Sequence, residues 1–151
     1  MSKVLGVDFG ERRTGVAISD DSRVIAFPRE TLFCPRVEQA AAAVARMAAT
    51  EKVAEIVVGY PINMNGSSGP RVVRTDEFLA ELAKRTEIPL KKWDERLSTK
   101  IAEAVLIEAG TSREKRRGVV DKLAAQVILQ GYLDSTSLES STNEEDSWEG
   151  P

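Results

Sequence analysis

The chain has 151 residues and no histidine, which excludes catalysis by Ser-His-Asp or Cys-His groups and any metal site built on imidazole. Its one cysteine, Cys34, cannot form a disulfide within the chain, and no stretch is long and apolar enough to span a bilayer, so we expect a cytoplasmic protein with no membrane partner. The net charge is −3, but residues 134–151 hold six acids and no base, which leaves 21 bases and 18 acids in residues 1–133. This asymmetry is compatible with a nucleic-acid partner.

The first third of the chain predicts an antiparallel meander of three strands. An apolar run over residues 4–9, a turn at 10–13 and a second run over 15–19 indicate a hairpin. A third strand is predicted from 24 to 27, with a continuation past Pro28 to residue 32. Because proline donates no backbone hydrogen bond, Pro28 is typical of an edge strand or a bulge.

Strands and helices alternate through the rest of the chain. Pro35 is predicted to open a helix, followed by a buried strand over 55–59, a Gly-, Pro-, Asn- and Ser-rich loop over 60–70, a second helix, a strand over 89–93 and two further helices. The second helix is expected to bury Phe78, Leu79, Leu82 and Ala83, and the last to bury Val120, Leu123, Ala124, Val127, Ile128 and Gly131. Crossover helices imply parallel strands, so we predict an α/β fold with a mixed five-stranded sheet and helices on both faces, over residues 1–133. Residues 134–151 are predicted to be an acidic disordered tail.

Three acidic side chains are expected to converge at the carboxyl ends of the parallel strands, where ligands of α/β sheets gather. Asp8 lies in the first strand, Glu95 follows the fifth, and Asp121 lies at the margin of the last helix's apolar stripe. Asp94 competes with Glu95, but adjacent strand residues point to opposite faces, so one of the two should enter the site. Three carboxylates without nearby bases repel one another, and Mg²⁺ or Mn²⁺ would relieve that repulsion. Two such ions about 4 Å apart can support phosphodiester hydrolysis without histidine or cysteine.

Each of these acids also has a structural interpretation that spacing alone leaves open. Asp8 could be a hydrogen-bonded structural group, Glu95 could pair with Arg96, and Asp121 could be a solvated partner of Lys122.

Four segments resemble the motifs of the YqgF-type (RuvX) family of RNase H-like nucleases, which are also described as pre-16S rRNA nucleases and Holliday junction resolvase homologues. The first covers residues 6–10 with Arg13 and 15–17. The loop over 59–70 is similar to the family's Gly-x-Pro-x-Asn-Met-x-Gly motif, and residues 94–99 to its Asp-Glu-Arg-Leu-Ser/Thr motif. The basic run over 113–117 with residues 121–133 resembles its last motif. Tyr60 stands where leucine is frequent, and Gly118 interrupts the basic run.

The resemblance implies an RNase H-like fold in which Asp8, Glu95 and Asp121 are catalytic and bind the metal ions. We interpret Asp8 as the bridge between two ions. The implied activity is endonuclease cleavage of structured nucleic acid, with 5′-end maturation of 16S ribosomal RNA as the process and resolution of DNA four-way junctions as the alternative. The expected partners are pre-rRNA or branched DNA and the ribosomal subunit precursor, and both monomer and homodimer stay open. Substrate contacts are expected from Arg13, Asn63, Asn65, Arg96, Lys115, Arg116 and Arg117.

Two functions of other classes compete with this hypothesis. Asp8-Phe9-Gly10 followed by Thr14-Gly15 also resembles the first phosphate motif of the actin-like kinases, but those enzymes need a second domain that 151 residues cannot supply. A nucleic-acid-binding ribosome-assembly factor could keep the fold without catalysis. Cleavage assays on the wild type would discriminate between this factor and the nuclease.

Overall fold

A computed structural model describes residues 3–61, 69–94 and 122–136. The strands are β1 (Val4–Phe9), β2 (Arg13–Ser19), β3 (Ala26–Phe33), β4 (Glu55–Tyr60) and β5 (Leu90–Asp94), and the helices are α1 (Val37–Glu51) and α2 (Pro70–Ala83). Residues 122–136 form a further helical segment. The strand order is β3-β2-β1-β4-β5, with β2 antiparallel to both β1 and β3 and β4 parallel to both β1 and β5. The predicted mixed five-stranded sheet is confirmed.

The two faces of the sheet bury separate apolar clusters. Along β1, Leu5, Val7 and Phe9 pack with α1 and α2, while Val4 packs on the other face with the helical segment 122–136. Helices therefore cover both faces, as predicted. The central strands β1 and β4 are buried almost throughout because each of their faces meets a helix. None of the described helices is long and apolar enough to cross a membrane.

Strand β3 begins two residues later than the sequence predicts. The carboxylate of Asp20 accepts hydrogen bonds from the backbone N–H groups of Val24 (2.8 Å) and Ile25 (3.0 Å), which closes a turn and delays the strand to Ala26. The expectation for Pro28 is confirmed, because β3 is an edge strand and the register opposite it shifts between Val16 and Ala17.

The two complete helices differ from the prediction in their details. Helix α1 starts at Val37 with Arg36 as its N-cap, so Pro35 precedes the helix instead of opening it. Helix α2 buries Val72, Thr75, Phe78 and Leu82, whereas Ala83 is exposed. These four positions follow the 3.6-residue period of a helix. The buried face includes Phe78, which stacks on Phe9 of the sheet.

The helical segment buries Ala124, Ala125, Ile128, Leu129 and Leu133, a stripe turned by about one residue from the predicted one. Leu123, Val127 and Gly131 are only partly buried. The helix also includes residues 134–136, which the sequence assigned to the tail; the Thr136 hydroxyl donates to the carbonyls of Tyr132 and Leu133, both at 3.1 Å. The predicted helix before this segment, Val120 and residues 137–151 of the tail lie outside the described residues.

Candidate active site at the carboxyl edge of the sheet

Asp8 is the next-to-last residue of β1 and is half-buried. Gly15 is its partner on β2, and Gly59 follows Val58, the β4 residue paired with Val7. Neither neighbouring strand therefore has a side chain next to the carboxylate in its row of the sheet. On this face of the sheet, side chains of β2 and β4 therefore do not obstruct the approach of a ligand to Asp8.

Gly6 brings the helical segment close to the same face of β1. A Cβ atom at Gly6 would lie 2.7 Å from Cβ of Leu129 and 3.2 Å from the carbonyl oxygen of Ala125. At the start of the sheet, the Tyr132 hydroxyl donates to a carboxylate oxygen of Glu55 (2.7 Å), and Glu55 is the β4 partner of Val4. The segment thus runs antiparallel to β1, and its N-terminal end points towards the end of the strand that carries Asp8.

On the opposite face, aromatic contacts fix the end of β1. The rings of Phe9 and Phe78 stack with centroids 4.5 Å apart and an interplanar angle of 13°. The guanidinium carbon of Arg74 lies 5.9 Å from the centroid of the Phe9 ring. These contacts hold the residue after Asp8 against α2.

Tyr60 ties the end of β4 to its neighbours. Its hydroxyl donates to Asp76 of α2 (2.9 Å), and the Lys92 ammonium of β5 lies 4.6 Å from the centroid of its ring. The hydrogen bond to Asp76 raises the pKa of Tyr60, because the bond and the carboxylate charge disfavour the phenolate. Tyr60 ends β4 and Asp76 lies in α2, so this contact joins the two elements that flank residues 61–69, the segment with Asn63 and Asn65.

Two of the predicted site residues fall within the described part of the chain. Besides Asp8, Arg13 opens β2 next to the edge strand, paired with Phe33, and is half-buried. Asp94 ends β5 and is exposed; Trp93 before it packs on the face of Asp8, so alternation puts Asp94 on the other face. The other predicted site residues lie outside the described residues: Asn63, Asn65, Glu95, Arg96, Lys115, Arg116, Arg117 and Asp121.

Residues 3–61, 69–94 and 122–136 contain no group of three acids, cysteines or histidines that could hold a metal ion. Asp8 is the single predicted ligand among them. Its hard carboxylate oxygen and its glycine neighbours suit a divalent cation such as Mg²⁺ or Mn²⁺.

Sequence reasoning missed the contacts of Arg74, Tyr60, Asp76 and Lys92. The departure from leucine at Tyr60 was visible in the sequence. Its partner was not, since a hydrogen bond between residues 16 positions apart depends on how α2 packs on the sheet.

Comparison with known proteins gives one family and one fold. The family model described as "RuvX: Holliday junction resolvase" matches residues 2–135. A relative from Halothermothrix orenii, named "Putative pre-16S rRNA nuclease", is 48% identical over 131 residues, which are 87% of this chain and 94% of the relative. A relative of the same name from Symbiobacterium thermophilum is 47% identical over 133 residues, 88% of this chain and 92% of its own length.

Solved structures agree on the fold. The RuvC of T. thermophilus, in complex with a Holliday junction substrate, superposes with a TM-score of 0.55 at 15% identity, over 85% of this chain and 92% of that one. The Fowlpox virus resolvase in complex with Holliday junction DNA gives a TM-score of 0.57 at 12% identity, over 89% and 98%. At these identities the likeness concerns the RNase H-like fold alone.

Proposed function

The chain belongs to the RuvX family, and from that premise we propose that it is a divalent-metal-dependent endonuclease that matures the 5′ end of 16S rRNA. The observation that carries the proposal is the setting of Asp8. A carboxylate near the end of a central strand, between two glycines and on the face covered by the helical segment, suits metal-assisted phosphate chemistry. The names of the relatives supply the substrate class.

Glu95 and Asp121 are the proposed partners of Asp8. Trp93 shares the face of Asp8, so strand alternation favours position 95 over position 94 for the same face. The helical segment runs antiparallel to β1 with Ala125 over Gly6, and position 121 stands four residues before Ala125 in the sequence, a spacing that matches one helical turn. Asp8 lies two residues after Gly6 along β1. Both spacings support a carboxylate triad at the carboxyl edge.

The proposed chemistry divides between the metal and the chain. When bound, divalent cations would activate water and neutralise charge on the phosphate. Asp8, Glu95 and Asp121 would hold these ions through their carboxylates. Arg13, Arg96, Lys115, Arg116 and Arg117 would contact phosphates without reading sequence, and Asn63 and Asn65 would donate hydrogen bonds to the substrate.

The test is cleavage of a 5′-labelled precursor 16S rRNA fragment with Mg²⁺ or Mn²⁺. We expect Asp8→Asn to lower kcat by at least about 100-fold, because the amide removes a negative metal ligand. Chelation of the metal should abolish cleavage. Adding Mg²⁺ or Mn²⁺ separately to the metal-free protein, and comparing the cleavage rates, should identify the ion that the enzyme uses. Asp21→Asn, at an exposed acid in the turn before β3, is the matched control and should cleave like the wild type. Full activity of Asp8→Asn would refute the metal site.

A second candidate is resolution of DNA four-way junctions, which the description of the family model favours. A resolvase makes two symmetric cuts, so it is expected to act as a homodimer, whereas a monomer can trim one RNA end. Incubation with a junction, together with measurement of the mass in solution, separates the two. Binding of RNA without any cleavage by the wild type would favour the ribosome-assembly factor.

A further inference from the structure

Arg74 of α2 carries a cationic group that the proposed catalytic chemistry does not use. It is half-buried, and its Nε atom is buried without a hydrogen-bond partner. Its guanidinium forms no ion pair within the described part of the chain. A buried donor without a partner is unfavourable, and an anion bound by the terminal N–H groups of the same guanidinium would offset part of that cost.

The position of Arg74 connects it to the candidate active site. Its guanidinium lies over the ring of Phe9, the residue after Asp8. It also lines a gap of 10 Å³ at the turn between β1 and β2, together with Gly10, Glu11 and Arg71. The same side chain borders a groove of 610 Å³ between the start of α1 and α2. Arg74 thus reaches the carboxyl edge of the sheet from the face opposite to Asp8.

The charges at this turn favour an anion. The gap is lined by two cations, Arg71 and Arg74, and by one acid, Glu11. The acids Glu38, Glu77 and Glu81 line the larger groove on the other side of Arg74. A contact with an aromatic ring restrains a guanidinium, and the planar fork of its terminal N–H groups can still donate to an anion. Such a group suits the oxygens of a phosphodiester.

We propose that Arg74 contacts a backbone phosphate of the nucleic acid next to the scissile one, and so positions the strand that crosses the carboxyl edge of the sheet. The inference rests on the proposed function, since it assigns a second contact to the same substrate. It adds a binding surface on the α2 side of the sheet.

The test measures how RNA affinity depends on salt, by fluorescence anisotropy with a labelled precursor fragment. All variants are made in the Asp8→Asn chain, which prevents turnover. Arg74→Met keeps an apolar stem against Phe9 and removes the charge. We expect it to lower the slope of log K against log salt by about 0.7 to 0.9, and to weaken binding about eightfold at 0.1 M salt. Arg74→Lys should retain most of the slope.

Arg46→Met is the matched control, because Arg46 is an exposed arginine of α1. It should leave the slope unchanged. A lower melting temperature for Arg74→Met with an unchanged slope would show that Arg74 only packs on Phe9, and would overturn the inference.

Cleavage by the otherwise wild-type chain separates this inference from the proposed function. If the otherwise wild-type chain cleaves the RNA but Arg74→Met leaves the slope of log K against log salt unchanged, the phosphate contact alone is refuted. If the otherwise wild-type chain does not cleave the RNA but Arg74→Met lowers the slope of its binding, the nuclease function alone is refuted. Absence of salt-dependent RNA binding in the Asp8→Asn parent would overturn the phosphate contact as well.

Discussion

At the scale of single residues, Gly6 decides how closely the helical segment 122–136 can approach β1. The hydrogen in place of a side chain lets Leu129 and the backbone of Ala125 lie directly on the strand. The distance between Asp8 and any residue on the preceding turn of this helix depends on that approach. Gly6 therefore links the packing of the core to the geometry of the candidate site.

Replacement of Gly6 by alanine tests this link. The new Cβ would lie 2.7 Å from Cβ of Leu129, closer than real contacts allow, and Leu129 is fully buried. We expect Gly6→Ala to lower the free energy of unfolding by about 1–3 kcal/mol, since overpacking forces the backbone to shift. Chemical denaturation measures this loss of stability. We also expect a lower kcat after correction for the fraction of molecules that are folded.

Gly131→Ala is the matched control on the same face. Its Cβ would lie 3.3 Å from Nε1 of Trp93, a partly buried side chain that can give by a few tenths of an ångström. Its effect on stability and on kcat should be small. Equal effects of the two substitutions would contradict the special role of Gly6.

The same scale shows where sequence reasoning succeeded and failed in the site. Asp8 was identified because a lone acid in an apolar strand is costly to bury, a property that its neighbours in the sequence reveal. Arg74 was missed because its guanidinium matters through Phe9, 65 positions earlier in the chain. Contacts of this kind arise only when α2 packs on the sheet.

At the scale of elements, the turn between β2 and β3 shows how one side chain sets the start of a strand. Asp20 accepts two backbone hydrogen bonds through one carboxylate oxygen, and the φ angle of 59° at Arg23 turns the chain back. The bonds from Ile25 and Val24 lower the pKa of Asp20. The sequence predicted a turn here, but the strand start depended on this side chain.

This turn predicts a pH dependence of stability. Because the folded pKa of Asp20 lies below its unfolded value, its contribution is present above about pH 4 and is lost as pH falls through the folded pKa. Asp20→Ala should therefore be less stable than the wild type at pH 7, and the difference should narrow below about pH 4. Urea denaturation between pH 7 and pH 3 measures it.

Asp21→Ala removes the neighbouring exposed acid and serves as the control. The difference in the free energy of unfolding between Asp21→Ala and the wild type should not narrow below about pH 4. A constant difference for Asp20→Ala over the whole pH range would contradict the role of its charge in the turn.

The regular elements were more predictable than their ends. Apolar runs and the 3.6-residue period identified β1, β2, β4, β5 and both α1 and α2, because burial dictates those patterns. The start of α1 at Val37, where the Ala40 N–H donates to the Arg36 carbonyl, and the extension to Thr136 depend on local hydrogen bonds that composition does not reveal.

At the scale of the whole molecule, the charge distribution separates a basic body from an acidic C-terminal end. Because the helical segment continues to residue 136, the acids beyond it are Glu139, Glu144, Glu145, Asp146 and Glu149. Residues 1–136 hold 21 bases and 19 acids, so the overall sign is set by the last 15 residues. A polyanionic substrate would be repelled by these residues wherever they lie within a Debye length of it.

Truncation after Thr136 should therefore strengthen RNA binding at low salt without changing the melting temperature. The gain should be several-fold at 0.05 M salt and vanish near 1 M, where the Debye length is about 3 Å. A full-length variant with the five acids replaced by Gln or Asn keeps the chain length and should match the truncation. If it bound like the wild type while the truncation bound more tightly, length and not charge would be responsible. Equal affinities for all three chains at 0.05 M would refute electrostatic repulsion by this end of the molecule.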